Sequence, residues 1–412
     1  MGKLISTHTD NATEAGSFDR WVARKILSII GNPALAFVLH DGSTVTIGDG
    51  QTSLRLLIHD RPALWLLAIN PELYFGELYS EGRIDLEGGL SEFLNTANRA
   101  LTARKSPVVS GLIYSWVKQL FINNSLDTAR HNIHQHYDIG NAFYEKWLDR
   151  EMQYTCAYFA APDCTLEQAQ IAKMDHVCRK LRLEPGQSVV EAGFGWGGLA
   201  RHMARKYGVR VKAYNISHEQ VAYARQRAKN EGLDEQVEYI EDDYRNIRGE
   251  FDVFVSVGML EHVGTRNYKV LGRVINSCLK EKGMGLIHTI GRNRPGYMNP
   301  WIAKRIFPGA CPPAISEMMN IFESENLSVL DIENLRLHYA TTLEHWLSRF
   351  NDNIGQIREK YDEKFIRAWR LYLCGSISAF TTGRLQLYQV VFTPGENNNL
   401  PWSRAHLYDS HQ

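Results

Sequence analysis

Four glycines, Gly193, Gly195, Gly197 and Gly198, fall within the segment Val189 to Gly198, VVEAGFGWGG, where a run of buried character gives way to a helical pattern. A backbone without Cβ atoms lets a ligand approach closely, and the crevice beyond a strand's carboxyl end is where open α/β sheets bind nucleotides. The spacing is G-x-G-x-G-G, and a carboxylate, Glu191, lies inside the turn. A charge there repels a pyrophosphate but suits a ligand with a cationic amino acid portion, such as S-adenosylmethionine. The plain alternative is a tight strand-to-helix junction with no ligand. Elsewhere, Glu261 and His262 read on their own as a helix cap and a surface histidine, and His288 as a satisfied histidine at a strand end. His131, His134 and His136 raise a metal question, but no cysteine or further ligand stands near them in sequence, so we expect no metal site.

The elements that must position these residues follow from periodicity. From about Gly186 the texture is strand, glycine turn, helix, repeated: QSVVEA, GFGWGG, LARHMARKY, VRVKAY, a helix from Glu219 to Asn230, VEYIE, FDVFVSV, a helix from Tyr268 to Lys280, and GLIHTI. This alternation predicts an α/β fold, a parallel sheet flanked by helices on both faces, with LQLYQVVF added last at an edge. Upstream, residues 17–104 read as a smaller N-terminal α+β domain, with a helix (WVARKILSII), short strands (ALAFVLH, STVTIG, SLRLLIH) and a second helix (ALWLLAI). Residues 1–16 read as a disordered tail, 105–125 as a linker with an amphipathic helix (IYSWVKQLFI), and 126–412 as the catalytic domain.

Lys plus Arg and Asp plus Glu both number 46, so no global field draws the chain to nucleic acid or a membrane, and any such attraction must be local. The six cysteines form no C-x-x-C pair and no dense disulfide framework, which suits a reducing cytoplasm. The polar start lacks the apolar core of a signal peptide, and no run reaches the roughly 18 apolar residues of a membrane span. The segment 291–313, GRNRPGYMNPWIAKRIFPGACPP, mixes Arg292, Arg294, Lys304 and Arg305 with Tyr297, Trp301, Ile306 and Phe307. It reads equally as a lipid-facing insert, drawn over 291–320, or as a lid over the site.

Nine ordered segments carry a resemblance to the cyclopropane fatty acid synthases, including the mycolic acid cyclopropanating relatives: HQHYDIGNAFYEKWLD (134–149), MQYTCAYF (152–159), EAGFGWGGLA, NISHEQ (215–220), DDYR (242–245), VSVGMLEHVG (255–264), LIHTIG (286–291), LHYATTLEHW (337–346) and LQLYQVVF. The resemblance implies a class I S-adenosylmethionine-dependent methyltransferase (Rossmann-like) domain. Its donor groove would be lined by Tyr137, Tyr154, Thr155, Glu191, Gly193, Gly195, Ile216, Gln220 and the loop Asp243, Tyr244, Arg245. It also implies bicarbonate as catalytic base, held by the backbone of Cys156 and by Glu261, His288 and Tyr339. Three departures from the family pattern stand out: Glu191 where Asp is usual, Phe194 for a small or sulfur-bearing residue, and Ser376 where many relatives have Cys.

The implied reaction adds the sulfonium methyl carbon to the double bond of unsaturated phospholipid acyl chains and closes a cyclopropane ring. Aromatic rings can steady the intermediate cation, and the motif segments are rich in them, including Phe143, Tyr144, Tyr158, Phe159 and Trp196. The implied setting is cytoplasmic, peripherally associated with the inner face of the cytoplasmic membrane, as a homodimer without nucleic acid. The N-terminal domain would dock on lipid or pair protomers. Two rival activities use the same donor: lipid C-methylation giving methyl or methylene branches, and N-methylation of a small molecule.

Overall fold

The computed structural model describes residues 15–47, 52–103 and 139–408. Tyr137, the three histidines at 131, 134 and 136, and the amphipathic helix expected within 105–125 lie outside the described residues. The chain divides into two compact units, one formed by residues 1–111 with 362–371, the other by 112–361 with 372–412.

In the first unit, α1 (Ser17–Ile30), α2 (Arg61–Ile69), α3 (Pro71–Ser80) and α4 (Leu90–Ala103) accompany strands β1 (Ala36–Val38), β2 (Thr44–Val45), β3 (Arg55–Ile58) and β4 (Ile84–Glu87). The sheet order is β2-β1-β3-β4, with β1 and β3 parallel and the outer pairs antiparallel. Local chemistry starts the helices. Asp60 accepts from the Ala63 amide at the head of α2, Asn70 accepts from Leu73 at the head of α3, and a proline occupies the first turn of each. Arg367, from the short stretch that joins this unit, donates to the carbonyls of Tyr79 and Ile84 and pairs with Asp85.

The second unit is built on a seven-stranded sheet of order β10-β11-β9-β8-β5-β6-β7. The strands are β5 (Ser188–Ala192), β6 (Arg210–Asn215), β7 (Val237–Glu241), β8 (Phe251–Val257), β9 (Leu279–Gly291), β10 (Leu327–Asn334) and β11 (Gln386–Pro394). Strands β5 to β9 run parallel to one another, while β11 runs antiparallel to both β9 and β10. The expected edge position of LQLYQVVF is therefore corrected: β11 is internal and almost wholly buried, and β10, which the sequence reading did not find, forms the edge. Apolar clusters cover both faces. Met174, Val177, Leu199 and Val221 pack on one, and Leu271, Ile275, Met318 and Phe322 on the other. The helices that matter for the site are α5 (Leu166–Lys180), α6 (Gly198–Tyr207), α7 (His218–Asn230), α8 (Leu260–Val263), α9 (Tyr268–Cys278), α10 (Pro300–Arg305), α11 (Ile315–Phe322), α12 (Arg336–Asp352) and α13 (Glu363–Thr381).

Candidate functional site: a donor groove and a neighbouring polar cluster

Strand β5 delivers Glu191 to the edge of a groove with about 730 Å³ of empty space, part of it open to solvent. The turn that follows is tight for a stated reason. Gly193 has φ +83°, and a Cβ there would meet the Met259 side chain at 2.8 Å. Gly197 has φ +77°, and a Cβ would lie 2.5 Å from the hydroxyl of Tyr239, which donates to the Gly197 carbonyl at 2.7 Å. Glu191 is buried, and one of its oxygens, Oε2, has no hydrogen-bond partner. Burial pushes its carboxyl up to about 8, opposed by the charges of Lys173 and Arg201. A cationic group entering the groove would favour its ionised form.

Across the groove, Asn215 at the end of β6 organises the next loop. Its Nδ2 donates to Gln220 Oε1 at 2.8 Å and to the Gly195 carbonyl at 3.3 Å, and its Oδ1 accepts from the Ile216 amide. This leaves Gln220 Nε2 buried without a partner. The third wall is the segment Met152 to Thr155, entered through Met152 at φ +55°. Asp149 accepts from the Glu151 and Gln153 amides, and Gln170 Nε2 donates to the Thr155 carbonyl at 2.9 Å. Tyr154 sits in an aromatic nest with Tyr144, Trp147 and Trp346 at 5.2–5.5 Å, and its hydroxyl pairs with that of Tyr372 at 2.9 Å.

Of the residues expected to hold the donor, Tyr154, Thr155, Glu191, Gly193, Gly195 and Gln220 line this groove. Ile216 is not among the lining residues, but its amide donates to the groove-lining Asn215. Asp243, Tyr244 and Arg245 are not among the groove-lining residues: Arg245 folds back on Asp243 with Nε to Oδ1 at 2.7 Å, and the Tyr244 hydroxyl is buried without a partner. His262 corrects the reading of a surface histidine. It is half-buried, lines the groove, and desolvation pushes it down to about 4, which keeps it neutral. Trp196, one of the rings noted in the sequence, lines the groove too, as do Gln153, Asn215, Gly258 and Met259, which carried no functional signal of their own.

The four residues implied for the base lie outside the groove lining but beside it. His288 is on β9, and its cross-strand partner on β11 is Gln389, whose side-chain Nε2 lies 3.0 Å from His288 Nδ1. An amide nitrogen donates, so the ring proton sits on Nε2, which is buried and unpartnered. Burial, helped by Lys173 and Lys180, holds this imidazole well below its ordinary range, so it is neutral. Glu261, on α8, accepts from the Ile290 amide at 2.6 Å, two residues beyond His288, and leaves its Oε2 unpartnered. Burial pushes its carboxyl up to about 7.

Cys156 is fully buried, its thiol is pushed up by burial, and Sγ donates to the Ala157 carbonyl with the Leu335 carbonyl at 3.9 Å. It is a thiol and not a nucleophile. Tyr339 lies one turn beyond Leu335, whose amide bonds Leu387 on β11, and its ring meets Phe380 in a tilted contact at 4.6 Å. His288 and Glu261 are thus tied to β9, and Cys156 and Tyr339 to Leu335, whose amide bonds β11. In the 291–313 segment, Arg294, Lys304 and Arg305 are exposed, but Trp301 and Ile306 turn inward. Phe307 contacts Tyr154, Tyr372 and the groove-lining His262 at ring distances of 5.6–6.3 Å, as a cover over the groove would.

Comparison with known proteins agrees with this geometry. Residues 124–390 match the family described as mycolic acid cyclopropane synthetase. A probable fatty acid methyltransferase of Pseudomonas putida is 36% identical over 91% of this chain and 96% of its own length. Cyclopropane-fatty-acyl-phospholipid synthase of Escherichia coli K12 is 42% identical over 66% of this chain and 69% of its own. The crystal structure of mycolic acid cyclopropane synthase CmaA1 complexed with SAH and CTAB superimposes with a TM-score of 0.61 at 28% identity, covering 64% of this chain and 97% of that one. With the class I methyltransferase sheet, the glycine turn with its buried carboxylate, and these matches together, the chain belongs to the mycolic acid cyclopropane synthetase family of S-adenosylmethionine-dependent enzymes.

Proposed function

We propose that this chain transfers the methyl carbon of S-adenosylmethionine to the cis double bond of an unsaturated acyl chain in a membrane phospholipid, and closes a cyclopropane ring with bound bicarbonate as base. The observation that carries this reading is a glycine-floored groove, with the unpartnered Glu191 oxygen at its rim, in a chain of the cyclopropane synthase family. Glu191 and Gln220 hold the cationic amino acid end of the donor, and Gly193, Gly195, Tyr154 and Thr155 enclose it. Ile216, the Asp243–Tyr244–Arg245 loop and Tyr137 complete the donor site as the resemblance implies.

The alkene attacks the sulfonium methyl. A carbon–carbon bond forms as the carbon–sulfur bond breaks, the electron pair stays on sulfur, and the other alkene carbon becomes a cation. Loss of a proton from the new methyl group then supplies the electrons that close the ring. The rings around Tyr154 steady the cation and exclude water that would trap it as an alcohol. Bicarbonate, when bound, supplies a small base that accepts this proton. The residues fit it: His288 Nε2 is a buried donor, Glu261 Oε2 is a buried acceptor for the anion's own proton, and neither has a protein partner. Tyr339 and the Cys156 backbone complete the cradle.

A second reading has one observation in its favour. The Pseudomonas putida relative aligned over nearly the whole chain is named as a fatty acid methyltransferase, which fits a methyl or methylene branch in place of a ring. Incubation of the purified protein with S-adenosylmethionine and unsaturated phospholipid vesicles, followed by mass and proton NMR analysis of the released acyl chains, separates the two. Upfield ring protons with a gain of one CH₂ support cyclopropanation; vinylic or branched-methyl signals support the second reading.

The substrate also sets the location. No helix among the described residues is long and apolar enough to cross a membrane. We place the protein at the inner face of the cytoplasmic membrane as a peripheral enzyme, with the N-terminal unit as the docking or pairing element. The exposed Phe18 and Trp21 on α1 support the docking role.

A further inference from the structure

Helix α5 carries a lysine that has no access to solvent. Lys173 is 0% exposed, on a helix whose neighbouring Ala169, Met174, Val177 and Cys178 are buried apolar side chains. An ammonium in such a place is costly unless its hydrogens are satisfied and a counter-charge is near. Lys173 Nζ donates to Thr155 Oγ1 at 3.0 Å and to Gln153 Oε1. One turn earlier on the same face, Gln170 grips the carbonyls of Thr155 and Gln153. A single turn of α5 therefore holds both the side chains and the main chain of two groove-lining residues. Asp149 is the carboxylate that does most to favour this ammonium, and Glu191, when ionised, adds to it. A leucine or methionine would fill the space without any of these demands, so the lysine stands against the local preference for an apolar residue.

We propose that Lys173 is a positioning residue of the donor site: its ammonium locks Thr155 and Gln153 into the groove wall and stands as the resident counter-charge to Glu191. This rests on the reading of the groove as the S-adenosylmethionine site. Burial lowers the Lys173 ammonium to about 8, so it remains mostly charged at neutral pH. Its charge is the largest influence holding Glu191 down against burial. Without it, Glu191 would keep its proton to higher pH and meet the donor's ammonium as a neutral acid.

The test is calorimetric binding of S-adenosylhomocysteine to the full-length protein as a function of pH, for Lys173→Met and Lys173→Gln, with thermal melting alongside. We expect folded variants that bind about tenfold more weakly near neutrality, with the midpoint of the affinity-against-pH curve moved upward. A purely structural lysine would lower affinity by the same factor at every pH, and that outcome, or unchanged affinity, overturns the proposal. Thr155 gives a check that does not depend on tolerating loss of the lysine. Thr155→Ser keeps the oxygen that Lys173 bonds and Thr155→Val removes it, so the serine variant should bind several-fold more tightly than the valine variant; equal binding by the two overturns the proposal. Failure of the wild type itself to bind S-adenosylhomocysteine would overturn both this role and the reading of the groove, whereas normal wild-type binding with indifferent variants would remove Lys173 alone.

Discussion

In the proposed donor site, Glu191 would link binding to pH. Its carboxyl, ordinarily near 4.5, is pushed up to about 8 by burial, so the folded, ligand-free protein holds a proton that the unfolded chain releases. That protonation stabilises the fold relative to an ionised Glu191, and the stability it contributes declines as pH rises from about 4.5 toward 8. Binding a cationic donor reverses the preference, expels the proton and should tighten by up to about tenfold per pH unit within that window. Titrations of S-adenosylhomocysteine from about pH 6 to about pH 8, in buffers of different ionisation heat, should register proton release, and Glu191→Gln should flatten the slope. A wild-type affinity independent of pH would remove Glu191 from contact with the amino group. At Glu261 the expected signature differs: Glu261→Gln should leave this affinity intact while turnover collapses, and undiminished turnover would exclude it from the mechanism. Glu191 and the glycines were legible because a carboxylate in a glycine-rich turn is unusual on its face. Lys173 and His262 were not, because a lysine or histidine in a helical pattern reads as solvated unless long-range packing buries it, and nothing local records that packing.

Among the elements, the strand-turn-helix units from β5 to β9 were readable because each obeys its own short-range periodicity and glycine punctuation. Strand order is a different matter. The segment LSVLDIEN of β10 alternates weakly and is half exposed, as an edge strand is, so it gave little signal, and β11 was placed at the edge that β10 occupies. The full burial of QLYQVVF is what an internal strand requires, and that was the clue available. The glycine turn offers a test at this scale, because its members differ in what constrains them. Gly195 has φ +56° with open space where a Cβ would go, so Gly195→Ala meets only backbone strain, about 1–2 kcal/mol. Gly197 has φ +77° and in addition the Tyr239 ring, which is held by its bond to the Gly197 carbonyl and packs on Phe194 at 4.7 Å. Gly197→Ala should therefore cost clearly more, at roughly 1–2 °C of melting temperature per kcal/mol for a chain of this size. Thermal melts without ligand check the order, and a Gly195 variant less stable than the Gly197 variant would contradict the account of the turn.

For the whole molecule, the balanced charge says nothing about membranes, so the docking surface proposed above would be a local feature, and α1 presents exposed rings and cations that suit one. Phe18 and Trp21 are 53% and 55% exposed, stacked on each other at 5.6 Å, and Phe18 meets Trp65 of α2 at 5.2 Å. Ile69, one turn beyond Trp65, is also exposed. Arg24 and Lys25 follow on the same helix, exposed, with no ion-pair partner among the described residues. Aromatic rings beside free cations suit the headgroup level of an anionic bilayer, where the rings partition into the interface and each cation adds about 1 kcal/mol. Deleting residues 1–125 is a poor test of this surface, because Arg367, far along the chain, would lose its partners at Tyr79, Ile84 and Asp85. Point changes in the full chain avoid that. Phe18→Ala with Trp21→Ala, and separately Arg24→Glu with Lys25→Glu, should weaken co-flotation with vesicles containing anionic phospholipid by about tenfold, while binding of S-adenosylhomocysteine stays as in the wild type. The charge-reversed protein should also lose the salt sensitivity of the wild type, since its attraction to the surface no longer exists to be screened. Should the alanine pair leave flotation unchanged and instead convert a dimer to a monomer in light scattering, this face pairs two copies of the chain, and the lipid must be met elsewhere on the molecule.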